Sequence, residues 1–260
     1  MLTLAPNIDL LYTEVGNDLT DRVRAAAADG FDTVEMWGTA GRDVPALAAA
    51  LQDSGVALSS TLVLPRTNFA WPNADLEAFY AGLTQTMEDA RTLGCPRVVV
   101  GTGAGFGAMK RPAQQARFAE ILTEGLDRTA ELGVAIVLEP VNSRVDHPGA
   151  FLDHTEYAIQ VARAVGSPRL TILYDLYHSI TQGEDVERTL AELSGLVGYV
   201  QLADVPGRGE PGSGTVDWSR QLRLLRDSGY DGVVGLEYVP TQDTSASTRA
   251  IRQVLDEITR

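Results

Sequence analysis

Four oxygen-bearing side chains each close a short apolar run: Val137-Leu138-Glu139, Leu173-Tyr174-Asp175, Tyr199-Val200-Gln201 and Gly235-Leu236-Glu237. Carboxylates gathered away from water repel one another and lose solvation, and a divalent cation relieves both penalties. Donors that are all oxygen suit a hard ion, so Mg²⁺ or Mn²⁺ is expected rather than Zn²⁺. His178 follows Asp175 by three residues, a spacing that can bring it back over the same place as a ligand-binding or proton-handling group. Arg144 and Arg208 lie in the segments after the first and third runs, where a guanidinium could grip a substrate carboxylate through two hydrogen bonds. His147 and His154 have weaker claims, and His154 reads as a helix-start residue. Glu35 ends an earlier run and is expected to be structural or a distal substrate contact rather than a ligand. Trp37, Trp71 and Phe106 are candidate cavity walls.

What must position these groups is a repeat of helix, glycine and short apolar strand. Gly30, Gly55, Gly94, Gly133, Gly166, Gly195 and Gly229 each follow an Ala-, Leu-, Glu- or Arg-rich segment of helical period. A helix ends well on a residue that accepts left-handed backbone angles. The run after each glycine is almost continuously apolar, as in parallel strands covered on both faces. With a first strand near residues 4–8, about eight strand–helix units result, and right-handed crossovers make their sheet parallel. Eight units in 260 residues favour a single-domain α/β fold over residues 1–260, a (β/α)8 TIM barrel. An open doubly wound sheet is the runner-up. It is disfavoured because no dinucleotide fingerprint follows the first strand, and the glycine-rich segment 101–107 lacks the acidic strand end that such a site needs. The loop-like segments 66–73, 101–112, 142–149 and 206–214 all follow strands, which in a barrel places them on the rim where active sites occur.

Composition narrows the partners. A formal charge of −14 argues against a nucleic-acid surface, and an anionic substrate would need local arginines or a metal. Neither a signal-peptide pattern nor an apolar stretch long enough for a membrane span is present, and the expected compartment is the cytoplasm. Cys95 is the one cysteine, so no internal disulfide can form, and it is expected to be structural. A homo-oligomer is compatible with the chain.

Several blocks resemble the hydroxypyruvate isomerase family of the xylose isomerase-like barrel superfamily. They are Leu138-Glu139-Pro140-Val141-Asn142-Ser143-Arg144 with Pro148-Gly149-Ala150-Phe151-Leu152, Tyr174-Asp175-Leu176-Tyr177-His178, the segment from Val200-Gln201 through Pro206-Gly207-Arg208 to Glu210-Pro211, and Gly235-Leu236-Glu237-Tyr238-Val239-Pro240. Asn7 and Tyr12-Thr13-Glu14-Val15 match the family's opening. Gln201 is informative, because many other sugar isomerases and epimerases of the superfamily carry histidine there. The resemblance implies that Glu139, Asp175, Gln201 and Glu237 hold the metal, that Glu139 and Glu237 also form the proton-transfer pair, and that His178, Arg208, Arg144 and Asn142 contact substrate. The implied reaction is an aldose–ketose type isomerisation through an enediolate, hydroxypyruvate becoming tartronate semialdehyde. Departures from the family pattern bear on substrate identity: Gly209 stands where histidine is usual, an extra residue lies around Val145-Asp146-His147, and the loop at residues 64–71 lacks a Gly-Glu-Trp-Gly stretch. Competing readings are a ketose 3-epimerase on a longer neutral sugar, a cyclic-polyol dehydratase, an endonuclease of the same barrel, and a sugar-binding protein without turnover.

Overall fold

The computed structural model describes residues 2–259. Its strands are β1 (Thr3–Pro6), β2 (Thr33–Met36), β3 (Ala57–Leu62), β4 (Arg97–Gly101), β5 (Ala135–Glu139), β6 (Leu170–Asp175), β7 (Val197–Leu202) and β8 (Val233–Leu236). All pair in parallel, in the order β1-β8-β7-β6-β5-β4-β3-β2. Just past the end of β1, Asn7 bridges Glu35 in parallel register and the Ile8 N–H donates to the Glu35 carbonyl at 2.9 Å. These contacts bring the two ends of the sheet together, and the expected α/β barrel is the fold observed.

The strands are apolar on both faces because both faces are covered. Inside the barrel, Leu62, Val99, Val137, Leu173 and Tyr199 form a buried plug. The Tyr199 hydroxyl lies 2.8 Å from Ser59 Oγ, which itself donates to the Val34 carbonyl, so a polar atom in the plug is satisfied across the barrel. Outside, the strands pack against α1 (Leu19–Ala28), α2 (Val44–Ser54), α3 (Leu76–Thr92), α4 (Arg111–Arg128), α5 (Thr155–Val165), α6 (Leu176–Gln182), α7 (Val186–Glu192), α8 (Trp218–Asp227) and α9 (Thr244–Thr259). Aspartates start many of them. Asp18, Asp43, Asp75, Asp185 and Asp217 each accept a first-turn backbone N–H of α1, α2, α3, α7 and α8, a cap contributing about 1 kcal/mol.

Helix ends also follow the sequence reading. The glycines named above all have positive φ, from 64° at Gly166 to 89° at Gly229. At Gly166 the N–H closes onto the Ala162 carbonyl at 2.9 Å, a geometry that a side chain at that residue would strain. The sixth unit departs from the simple repeat, since α6 and α7 both follow β6. Cys95 is buried, donates to the Arg97 carbonyl at 3.2 Å, and has its thiol pushed up to about 12 by burial, as befits a packing residue. Among the described residues, no helix is long and apolar enough to cross a membrane.

Candidate metal centre and active site

Residues from all four rim segments line one cavity of about 470 Å³ above the plug. Glu139 is the last residue of β5 and Asp175 the last of β6, whereas Gln201 is the penultimate residue of β7 and Glu237 lies one beyond β8. Asp175 sits in register with Gln201, and Gln201 with Gly235. Side chains alternate along a strand, so Glu237 shares the inward face with Gly235 and rises one step above Gln201.

Asp175 has two separate tasks. Oδ1 caps α6 by accepting the Tyr177 N–H at 2.8 Å, which leaves Oδ2 buried with no hydrogen-bond partner among the described residues. The turn of α6 then returns His178 to the same place, its Nε2 3.6 Å from both Glu139 Oε1 and Asp175 Oδ2. Asn142 sets the state of that imidazole. Its Oδ1 accepts the N–H groups of Val145 and Asp146, each at 3.0 Å, so its amide nitrogen faces His178 Nδ1 at 2.7 Å and Asp146 Oδ2 at 2.6 Å. Nδ1 is thus an acceptor and the ring proton resides on Nε2. Burial, followed by the charge of Arg208, pushes the His178 pKa down to about 3, and the ring presents a neutral N–H donor to the site.

The acids feel one another. Burial comes first, then repulsion from Glu237 and Asp175, in raising the Glu139 carboxyl well above the usual carboxylate range. Burial raises Asp175 to about 6, partly offset by Arg208. Arg208 Nη2 lies 2.6 Å from Glu237 Oε2 and 3.8 Å from Asp175 Oδ2, while the Trp37 indole N–H donates to Glu237 Oε1 at 2.7 Å. Arg208 reaches this place from a left-handed backbone, φ 57°, costly for a side chain with a Cβ. The loop enforces it through Asp204, whose buried carboxylate accepts the N–H groups of Val205, Gly212 and Val216 and the Trp218 indole N–H.

The residues fit a divalent cation. Asp175 Oδ2 and Gln201 Oε1 are both buried without hydrogen-bond partners among the described residues, each an expense of about 1 to 3 kcal/mol unless something positive satisfies it. Glu139, Asp175 and His178 offer donor atoms within 4.8 Å of one another. The His178 proton on Nε2 suits it better to a substrate oxygen than to a metal.

Not every sequence candidate comes to the cavity. Asn142 is wholly buried behind His178 and reaches the site only through that ring. Arg144 is exposed, with its guanidinium against Gly183, and does not line the cavity. Trp71 and Phe106 do not line it either; their rings pack together at 5.3 Å, and the Trp71 indole donates to the Gly105 carbonyl. Trp37 and His147 are in the wall, whereas His154 pairs with Asp153 at the start of α5. Glu35, expected across the barrel from the acids, accepts the Gln201 amide nitrogen directly at 3.0 and 3.2 Å. The glycine-rich segment serves close packing: a Cβ on Gly103 would strike the Thr67 carbonyl, and Asn68 Oδ1 accepts the Ala104 N–H at 2.9 Å. Arg66 was not singled out from sequence, yet it lines the cavity with no ion pair among the described residues, and its charge is felt by Glu139. Its one signal was membership of a rim segment.

The family model described as xylose isomerase-like TIM barrel matches residues 23–258. A 2-oxo-tetronate isomerase from Cupriavidus necator is 30% identical over 95% of this chain and 96% of its own. The hydroxypyruvate isomerase of Escherichia coli strain K12 is 30% identical over 96% of this chain and 98% of its own. The crystal structure of an AP endonuclease, family 2, from Brucella melitensis superposes with a TM-score of 0.89 at 26% identity, covering 97% of this chain and 99% of that one. Agreement of this extent, on this barrel, places the chain in the xylose isomerase-like TIM barrel superfamily and, within it, in the hydroxypyruvate isomerase family.

Proposed function

We propose that the chain is a metal-dependent isomerase of small hydroxy-2-oxo acids, with hydroxypyruvate, converted to tartronate semialdehyde, as its best substrate. The observation that carries this reading is one cavity lined by Glu139, Gln201 and Glu237 together with two guanidiniums, Arg66 and Arg208. The names of both relatives denote 2-oxo acids, compounds with a carboxylate beside the carbonyl.

Glu139, Asp175, Gln201 and Glu237 would hold the divalent ion, Mg²⁺ or Mn²⁺, which supplies Lewis-acid stabilisation of negative charge developing on the substrate oxygens. The chain's own groups do the rest. Arg66 and Arg208 face the substrate carboxylate, and binding there lets Arg208 exchange the Glu237 carboxylate for that of the substrate, freeing an oxygen of Glu237. The His178 Nε2–H donates to a substrate oxygen. Isomerisation moves one proton from C3 to C2 and one from the C3 hydroxyl to the C2 oxygen. Glu139 and Glu237 share these transfers, one taking the carbon-bound proton and the other serving its return or the neighbouring oxygen. Burial first, then the neighbouring acids, raise the Glu139 carboxyl, which favours its holding a proton taken from substrate.

A substrate panel with Mn²⁺ tests this. Hydroxypyruvate and 2-oxo-tetronate are expected to react with kcat/KM at least roughly tenfold above neutral tetruloses, pentuloses and hexuloses, since one charge-assisted contact contributes about 1.5 to 3 kcal/mol. Arg66→Met should raise KM for the oxo acids about tenfold while leaving any neutral ketose unchanged. Faster turnover of a neutral ketose would overturn the assignment. The ketose 3-epimerase alternative is not favoured, because a neutral sugar gives Arg66, which has no ion pair among the described residues, no anionic partner. Endonuclease chemistry fits poorly with a net charge of −14 and an oxygen-dominated site.

A further inference from the structure

A carboxylate buried in the cavity wall with no ion pair among the described residues calls for a reason, and Glu35 on β2 is 1% exposed. Its Oε1 receives the amide nitrogens of Asn7 at 3.1 Å and Gln201 at 3.0 Å, and Oε2 receives Gln201 again at 3.2 Å and Ser60 Oγ at 3.4 Å. An oxygen that takes two amide nitrogens is an acceptor whichever protonation state the carboxyl has.

The orientation of Asn7 is set independently, since its own Oδ1 accepts the Asp9 N–H at 3.0 Å. Among the described residues no other partner sets that of Gln201: past its nitrogen lies Glu35, and its Oε1 is buried with no hydrogen-bond partner. The two ends of an amide are almost the same size but opposite in polarity, and only the oxygen can bind a cation. Room for the arrangement comes from β8. A Cβ on Gly235, which is in register with Gln201, would collide with Glu35 Oε2 and approach Gln201 Cγ to 2.9 Å.

We infer that Glu35 is a positioning residue that captures the nitrogen of Gln201, so that the amide presents its oxygen to the metal. Asn7 and Ser60 hold Glu35, and the bare Gly235 leaves space for it. This rests on the reading of Gln201 as a metal ligand. In this role Glu35 acts through Gln201, as partners behind a ligand do.

The test is direct titration of the metal-free protein with Mn²⁺, followed by the electron paramagnetic resonance signal of the free ion. Glu35→Gln should raise the Mn²⁺ dissociation constant about 10- to 100-fold. Glu35→Asp keeps the charge but withdraws the oxygens, so it should lose affinity as well, and it serves if Glu35→Gln fails to fold by circular dichroism. In a Gln201→Leu background, which itself weakens binding, adding Glu35→Gln should change affinity less than about twofold, the two sites acting as one unit. Wild-type affinity in both Glu35 variants, with a loss in Gln201→Leu, overturns the inference alone. An equal loss from Glu35→Gln with and without Gln201 also overturns it, because the carboxylate would then act by charge at a distance. Wild-type affinity in Gln201→Leu removes Gln201 from the ligand set and the inference with it.

Discussion

Glu237→Gln is expected to lower kcat at least about 10³-fold, within the range ascribed to a positioned proton carrier, with the barrel intact. The substitution keeps shape and volume. The Trp37 indole can still donate to the side-chain oxygen, and Arg208 retains Asp175 as an anionic neighbour at 3.8 Å. One charge leaves a crowded group in which Glu237 raises both Glu139 and Glu35. The melting temperature should therefore stay within about 3 °C of wild type or rise slightly. Loss of activity with loss of fold would say nothing about proton transfer, so the melt must accompany the rate. A folded variant with wild-type turnover would remove Glu237 from the chemistry.

Metal removal should have the second-largest effect, and its pH dependence follows from the same crowding. The Glu139, Asp175 and Glu35 carboxyls are all raised by burial first; Asp175 reaches about 6, and Glu35 about 8 with help from Glu237. Their folded values lie above their unfolded ones. The stability they contribute is complete below about pH 4 and is lost as pH climbs through the folded values. His178 acts in the opposite sense. With a folded value near 3, it weakens the fold only as pH falls below the free imidazole value of about 6.5. Between about pH 7.5 and 8.5 the imidazole is neutral in both states while Glu35, near 8, still titrates, so the carboxylates decide. The chelator-treated protein should melt at progressively lower temperature across that interval. Added Mg²⁺ competes with protons for the same oxygens, so the rise in melting temperature it produces should grow with pH. At 100 times the dissociation constant, binding contributes about 2.7 kcal/mol, or roughly 5 to 10 °C for a chain of this size. Activity should vanish with chelation and return with Mg²⁺ or Mn²⁺. A Mg²⁺ shift independent of pH would count against the clustered acids as its site.

The strand-end acids were legible because parallel strands here are unbroken apolar runs, and the first polar residue after such a run marks the rim. Consecutive strands are neighbours, so Asp175 and Gln201 were expected side by side and are found in register. The contact between Glu35 and Gln201 was not legible in that way. β2 and β7 are distant in sheet order, yet an eight-stranded barrel is only wide enough for side chains to fill, and long ones from opposite walls meet inside it. A missing side chain at Gly235 is what lets them meet, and a glycine inside a strand names no partner by itself. Loop residues were harder still. Asn142 and Arg144 lie two residues apart, but one turns inward behind His178 and the other outward to Gly183, a choice made by hydrogen bonds from Val145 and Asp146 that spacing does not encode. Trp71 and Phe106 satisfy each other on the rim, and of the three aromatics expected in the wall Trp37 alone lines it, as Arg66 also does.

The central claim is that this cavity moves a carbon-bound proton of a small hydroxy-2-oxo acid. Proton magnetic resonance of Mg²⁺-loaded protein with hydroxypyruvate in D₂O tests it most directly. The account predicts decay of the C3 proton signal, growth of the aldehyde signal of tartronate semialdehyde, and deuterium at its C2, all abolished by chelator and by Glu237→Gln. Folded, Mg²⁺-loaded protein that leaves the C3 protons of hydroxypyruvate unexchanged and forms no aldehyde would contradict it.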